Sequence, residues 1–316
     1  MEARGLTPVG TMTTAFPATG KVRLKTNLAD YPVVRALKEG RVRSDLVEFD
    51  FCGPKPANQG FKPMIREGAF DAGELAIGSF LQARVYNKPL VLLPAVVMAR
   101  FQHHTIVYNG ARGELSPKDL EGRRIAVRSY TQTTGIWVRG ILQHEHDVDL
   151  NRLRWVCTDD AHLAEYRDPS IVERPGPGAK PLDQMLIDGE VDAAIPAGDL
   201  TKDHPHIHHL FPSPNEQAKA WVAKYGTVPV NHYFVVSKAL ADVRPDVVRD
   251  IYRLLQESKA LAPAPADGID FFPYGVEANR KPLQLMAQYA VEQQIIPRAF
   301  TAEELFEDVA DALGRT

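Results

Sequence analysis

The chain has 316 residues, 44% of them hydrophobic and 24% charged, with a formal net charge of −3. That length allows two domains or one large one, and that balance excludes a disordered chain. It also gives no broad electrostatic reason to bind nucleic acid or an acidic membrane, so any anion site must be local and the expected partner is a small molecule. The two cysteines, Cys52 and Cys157, lie far apart in no paired spacing. They suggest neither a disulfide framework nor a zinc site and read as two buried thiols. Residues 1–20 hold no apolar run of signal-peptide length and read as a flexible cytoplasmic N-terminus. No stretch approaches the roughly 18 apolar residues of a membrane span.

Strand-like and helix-like segments then alternate, the pattern of an α/β protein with mainly parallel sheets. "KVRLKTN" (21–27) alternates as a strand, Pro32 to Glu39 reads as a helix stopped by Gly40, and "LVEFDF" (46–51) is a second strand. "FKPMIREG" is a short helix closed by Gly68. In "FDAGELAIGSFLQARVY" a buried strand runs into a helix beginning near Ser79, and "PLVLLPAVV" is the next strand. A second unit opens at "HTIVYN" (104–109). "SPKDLEG" has a serine cap and a glycine stop, "RRIAVRS" is a strand, and Thr133 to His146 is a helix. "LRWVCT" is another strand, and the Pro/Gly-rich 168–181 is a loop. "LDQMLIDGEVDAAIPAGD" supplies a helix, a stop and a buried strand. After a histidine-rich surface segment, "DHPHIHHLF", comes the long strand "TVPVNHYFVVS" (227–237). The C-terminal helices include Val247–Ala262, Ala278–Gln293 and Ala302–Ala312.

"REGAFDAGELAIG" and "IDGEVDAAIPAG" resemble one another, one copy in each half. Two similar α/β lobes with returning terminal helices predict a clamshell with its ligand in the cleft between them. The expected division is 21–103 with 234–316 as lobe 1 and 104–233 as lobe 2, the chain crossing near 100–106 and 228–234.

Arg128 ends a strand, and Ser129, Thr131, Thr133 and Thr134 stand at the start of the following helix. Free N–H groups and the helix dipole favour a carboxylate there, with Arg128 adding a bidentate contact; capping alone would also account for the hydroxyls. Arg100, His103 and His104 sit at the first crossing and Asn231 and His232 at the second. An imidazole from each could therefore face one ligand and transfer a proton near neutral pH. Glu74, in an apolar stretch, is either a general acid, a metal ligand with His103 and His232, or a carboxylate paired with an arginine such as Arg139 or Arg280. No phosphate loop, nucleophile elbow or His-Glu-x-x-His helix is present, so no organic cofactor is expected.

Taken in order, "ADYPVVRALKEGRV", "FDAGELAIGSFL", "RFQHHTIVY", "YTQTTGIWVRGIL", "DGEVDAAIPA", "VPVNHYFVV" and "FPYGVEANRKPL" followed by "YAVEQQIIPRAFTAEELF" form a specific set. The chain resembles the 4,5-dihydroxyphthalate decarboxylases of phthalate degradation, from about Lys21 to Phe306. The resemblance marks Asp30, Tyr31, Glu74, Ser79, His103, Tyr130, Thr133, Trp137, Arg139, His232, Asn279 and Arg280 as matching positions. The chain departs from the family pattern at Thr131-Gln132 and at His104.

That resemblance implies a fold like the type II periplasmic binding proteins and a cytoplasmic, non-oxidative decarboxylase of a hydroxylated aromatic dicarboxylate. His103 or His232 would supply the proton, with Glu74 as the alternative donor or as the group that sets an imidazole's tautomer. Arg128, Thr133 and the helix start would hold the retained carboxylate, Tyr130 and Trp137 would wall the ring, and Tyr31, Ser79, Arg100, Thr134, Arg139 and Asn231 would complete the substrate site. A homo-oligomer is compatible with this reading. The rival is a solute-binding protein for an aromatic carboxylate, which needs the anion site but no proton donor.

Overall fold

The computed structural model describes residues 16–265 and 267–314. Strands β1 (Val22–Asn27), β2 (Val47–Asp50), β3 (Ala72–Ala76) and β4 (Leu90–Ala99) build the first sheet, with helices α1 (Pro32–Lys38), α2 (Phe61–Glu67) and α3 (Ile77–Val85) between them. A 3₁₀ turn at His103–Thr105 leads into the second sheet, made of β5 (Val107–Asn109), β6 (Arg124–Val127), β7 (Arg154–Cys157), β8 (Val172–Glu173), β9 (Ala193–Ile195) and β10 (Ile207–His209). Helices α4 (Thr133–His146), α5 (Leu182–Ile187) and α6 (Pro214–Tyr225) accompany it. The chain returns as β11 (Val230–Ser237) and ends in α7 (Lys238–Val243), α8 (Pro245–Ala260), α9 (Val276–Glu292) and α10 (Ala302–Leu313).

The sheet orders are β2-β1-β3-β11-β4 and β10-β5-β9-β6-β7-β8. In each, a parallel trio (β2-β1-β3, β7-β6-β9) is flanked by an antiparallel strand that has just crossed from the other lobe, β11 or β5. The return crossing ends before Val230, because Val230 and His232 already pair with β4 and β3. The expected boundary at 233/234 would cut this strand in mid-ladder, and it moves accordingly.

The internal resemblance has a structural basis. Asp71 donates its N–H to the Lys25 carbonyl at 2.8 Å and accepts the Lys25 N–H on its carboxylate at 2.8 Å. Asp192 makes the same pair of bonds with Arg124, at 2.8 and 3.1 Å. Each aspartate thus locks the strand that follows it beside the first strand of its own lobe. Gly73, next in β3, has φ +143°, and a Cβ there would lie 2.1 Å from the Asn27 carbonyl oxygen. Only glycine fits, which lets β1 and β3 approach closely.

Helix α4 joins the lobes. Its residues 133–142 are all buried, and Trp137 stands edge-on to Trp221 of α6 at 5.8 Å and to Tyr289 of α9 at 5.7 Å. Helices α6 and α7 are absent from the sequence reading; α6 buries little besides Ala218 and Trp221, so its apolar stripe is faint. "SPKDLEG" forms a 3₁₀ turn rather than an α-helix, with the Ser116–Asp119 capping box intact. Cys157 is buried as expected, whereas Cys52 is exposed. Of the N-terminal segment 1–20, the part before Phe16 lies outside the described residues; the Pro17 and Gly20 carbonyls both accept from Arg244. Among the described residues no helix is long and apolar enough to cross a membrane.

Candidate functional site

Glu74 and His232 are 158 residues apart yet share one face of the first sheet. Glu74 pairs in register with Phe234, two residues from His232 on β11, so the carboxylate and the imidazole are diagonal neighbours. Nδ1 of His232 lies 2.5 Å from Glu74 Oε2. The fully buried carboxylate also accepts from the Tyr31 hydroxyl at 2.8 Å and the Ala29 N–H at 2.6 Å. Burial pushes this carboxyl up, but the His232 hydrogen bond and charge, with the Ala29 N–H and Tyr31 hydroxyl, outweigh it and hold the acid below its usual range. Glu74 is therefore an anion paired with a histidine, not with Arg139 or Arg280. Burial, then the charge of Glu74 and the bond to it, push the Tyr31 phenol upward, so Tyr31 stays a donor.

With Nδ1 committed to Glu74, His232 presents Nε2 outward. Among the described residues Nε2 has no hydrogen-bond partner, and the side chain keeps 16% of its surface exposed. Phe61 stands edge-on to this ring at 5.1 Å and to His162 at 5.7 Å, so one phenyl separates two imidazoles.

The hydroxyls ahead of α4 do not cap it. Gln132 is the N-cap residue, without a side-chain cap. Thr133 Oγ1 accepts from the Gly78 N–H of α3 at 3.1 Å, which joins the two lobes. Thr134 Oγ1 accepts from Arg100 at 3.3 Å, and Asn231 is held by the Gln102 amide at 2.8 Å. Arg100 Nε is buried without a partner, and burial lowers the guanidinium's basicity. It has no carboxylate partner among the described residues.

Arg128 lines a cavity of about 230 Å³ between the lobes, with Ser129, Thr131, Lys62 and His162. Sequence reasoning passed over Lys62 and His162. The second carried a readable signal, since it lies just past the C-terminal end of β7, the edge where open α/β sheets place ligands. His162 Nδ1 lies 2.6 Å from Ser79 Oγ, so Ser79 sits inside α3 supporting an imidazole rather than starting the helix. Burial pushes His162 down to about 3, with Lys62, Arg128 and Arg66 adding to the effect, and it is neutral at physiological pH.

Other expected residues are elsewhere. His103 packs against Phe211 at 5.2 Å near the C-terminal end of α4, beside His146 and Glu145, and burial followed by His146 pushes it down to about 4. The 3₁₀ turn at the crossing sends its side chain into lobe 2, away from Glu74 and His232. The three-residue metal site considered from the sequence is therefore not assembled, and among the described residues no group of three or more metal-ligating side chains is. Trp137 is core, donating its indole N–H to the Val230 carbonyl at 2.7 Å. Tyr130 is buried beneath the Arg139 guanidinium, 4.0 Å from its ring centre, and Arg139 is itself buried, bonding Gln293 at 2.7 Å. These three support the α4 turn from behind and do not wall a ligand. A larger cavity of about 950 Å³ lies between α8, α9 and α10. Of the residues expected from the sequence it touches only Arg280, which like Arg253 is ion-paired there.

No family model matches the chain. The 4,5-dihydroxyphthalate decarboxylase of Comamonas testosteroni is 27% identical over 258 residues, 77% of this chain and 76% of that protein. That of Pseudomonas putida is 28% identical over 211 residues, 64% of this chain and 81% of that protein. Among solved structures, the alkanesulfonate-binding protein SsuA from Xanthomonas axonopodis pv. citri bound to MOPS matches with a TM-score of 0.56 at 15% identity, covering 92% of this chain and 99% of the other. The desulfurization enzyme DSZB matches with a TM-score of 0.54 at 14% identity, covering 93% and 99%. The chain is thus a distant homologue of 4,5-dihydroxyphthalate decarboxylase, built on the two-lobed α/β fold of the type II periplasmic binding proteins.

Proposed function

We propose that the protein is a non-oxidative decarboxylase of a hydroxylated aromatic dicarboxylate, with 4,5-dihydroxyphthalate giving 3,4-dihydroxybenzoate and CO2. The observation that carries this is the imidazole of His232, fixed through Nδ1 by a buried carboxylate and left with Nε2 facing outward. A solute-binding protein needs no proton donor, whereas ipso protonation of an aromatic ring needs one, and this dyad can supply it. The hydroxyl para to the departing carboxylate pushes electron density to the ipso carbon, which takes a proton from Nε2. The carbon–carboxylate bond then breaks, its electron pair returns to the ring and CO2 leaves. One proton is consumed per turnover and His232 regains it from solvent.

Glu74 stabilises the imidazolium and fixes its orientation, while Arg100 supplies charge at the reacting end. Arg128 and the free N–H groups at the start of α4 hold the carboxylate that stays. A positioned general acid of this kind is worth about 10²- to 10⁴-fold.

The test is to incubate the purified protein, before and after chelator treatment, with 4,5-dihydroxyphthalate and follow product by chromatography. Turnover that His232→Ala abolishes without loss of fold supports the assignment; undiminished turnover removes His232 from the mechanism. Tight binding of an aromatic carboxylate without turnover favours the solute-binding reading, which the likeness to a sulfonate-binding protein keeps in view.

A further inference from the structure

The interlobe cavity has a feature the proton-transfer dyad does not use. Lys62, on α2 of lobe 1, and Arg128, beyond β6 of lobe 2, both line it. Among the described residues neither side chain has a hydrogen-bond or ion-pair partner, although most other cations of the chain are paired. Asp159 and Asp160 line the same cavity, but both are exposed and neither comes within 4.0 Å of Lys62 or Arg128; Asp160 is 84% exposed and leans toward Arg174 at 3.8 Å. His162 adds a polar group without charge. The walls therefore present two cations from opposite lobes that no acid pairs with directly.

Their meeting is fixed from both sides. Arg66 donates to the Ala161 and His162 carbonyls at 2.7 Å each, so α2 grips the loop that carries His162. Lys62 is one helical turn before Arg66 and on the same face of α2. The contact that seats α2 on lobe 2 thus also turns Lys62 toward the cavity. A volume of about 230 Å³ accommodates a carboxylate and an adjoining ring edge, given that a water occupies about 30 Å³.

We propose that Lys62 and Arg128 together form a subsite for the second carboxylate of an aromatic diacid, and that Lys62 is the residue that selects diacids over monoacids. This deepens the decarboxylase reading and rests on it for the identity of the ring. A diacid brings this pair of cations a carboxylate in addition to the one that reacts, whereas a monoacid has only one to offer.

The test uses two non-reacting probes, phthalate and benzoate, titrated calorimetrically into the wild-type protein, Lys62→Met and Lys62→Arg. Lys62→Met should weaken phthalate binding about 10- to 100-fold and change benzoate binding by less than about threefold, while Lys62→Arg keeps most of the phthalate affinity. The Lys62 side chain makes no hydrogen bond or ion pair among the described residues, so folding is expected to survive both changes, and thermal unfolding verifies it. Equal weakening of both probes, no weakening of either, or a wild-type protein that binds neither would overturn the proposal. A wild-type protein that decarboxylates nothing yet separates phthalate from benzoate through Lys62 would refute the catalytic reading and sustain this subsite.

Discussion

Glu74→Gln keeps the shape of the side chain and removes its charge. The carboxylate now accepts from three donors, Ala29 N–H at 2.6 Å, Tyr31 at 2.8 Å and His232 at 2.5 Å. An amide has one acceptor oxygen, and its NH2 must face at least one of those donors. Losing a charge-assisted bond costs about 1.5–3 kcal/mol, and a buried donor left unpaired costs about 1–3 kcal/mol more. Where that loss falls on the protonated imidazole, the proton-donating form becomes scarcer by the same factor and kcat falls by about 10²- to 10⁴-fold, at about 1.4 kcal/mol per tenfold. KM should move little, because the Glu74 oxygens face protein donors and not the cleft. Initial rates of 3,4-dihydroxybenzoate formation, with circular dichroism to verify folding, read the effect. A folded variant with kcat within about twofold of the wild type refutes the idea that Glu74 works through His232.

Arg128→Met should raise KM for 4,5-dihydroxyphthalate about 10- to 100-fold and leave kcat within about threefold; a fall in kcat alone would place Arg128 in the chemistry instead. His103 is held at about 4 against an ordinary 6.5, so the unfolded chain takes up its proton first and the folded state loses stability as the pH falls through that window. The difference amounts to about 3 kcal/mol, and His103→Leu should remove much of it from urea unfolding curves between pH 7 and 4; curves that keep the wild-type pH dependence contradict this. Gly73→Ala sets a Cβ 2.1 Å from the Asn27 carbonyl oxygen, and a loss of about 4 kcal/mol or more is expected, so a melting temperature within about 3 °C of the wild type is the contrary result. Trp137→Phe forfeits the bond to the Val230 carbonyl and should cost about 1 kcal/mol of stability with KM unchanged; a raised KM at full stability would return Trp137 to the ligand.

The architecture was legible because its signals are local: alternating strands, glycine stops after α1, α2 and α5, and a repeated Asp-Ala turn. Glu74 and His232 were legible for a related reason, as isolated ionisable residues in apolar strands, which burial makes costly unless something answers them. Side-chain direction was not legible. His103 and His232 both sit at crossings, but β11 has a strand's fixed alternation and the 3₁₀ turn at 103–105 does not. Residues 133–142 of α4 are buried all round, so no polar stripe told which of Tyr130, Thr133, Trp137 and Arg139 meets the cleft. Lys62 on a short helix looks like any solvated lysine until the opposite lobe is present.

The paired aspartate turns carry a consequence for how a ligand must lie. Superimposing the two lobes on Asp71 and Asp192 sets Glu74 over Ile195 and Ala29 over Arg128, since Thr26 and Ile125 hold equivalent registers beside Ala72 and Ala193. The same corner of the same module therefore ends in the Glu74–His232 pair on one wall and in a cation on the other. Two copies of one frame, differing at these positions, give the space between them two chemically unlike walls. On the proposed reading, an aromatic diacid meets these two unlike walls with one carboxylate at Arg128 and the other toward His232. Because the ring's own twofold axis exchanges the two carboxylates of 4,5-dihydroxyphthalate, either end can take either role and the proposed product is the same.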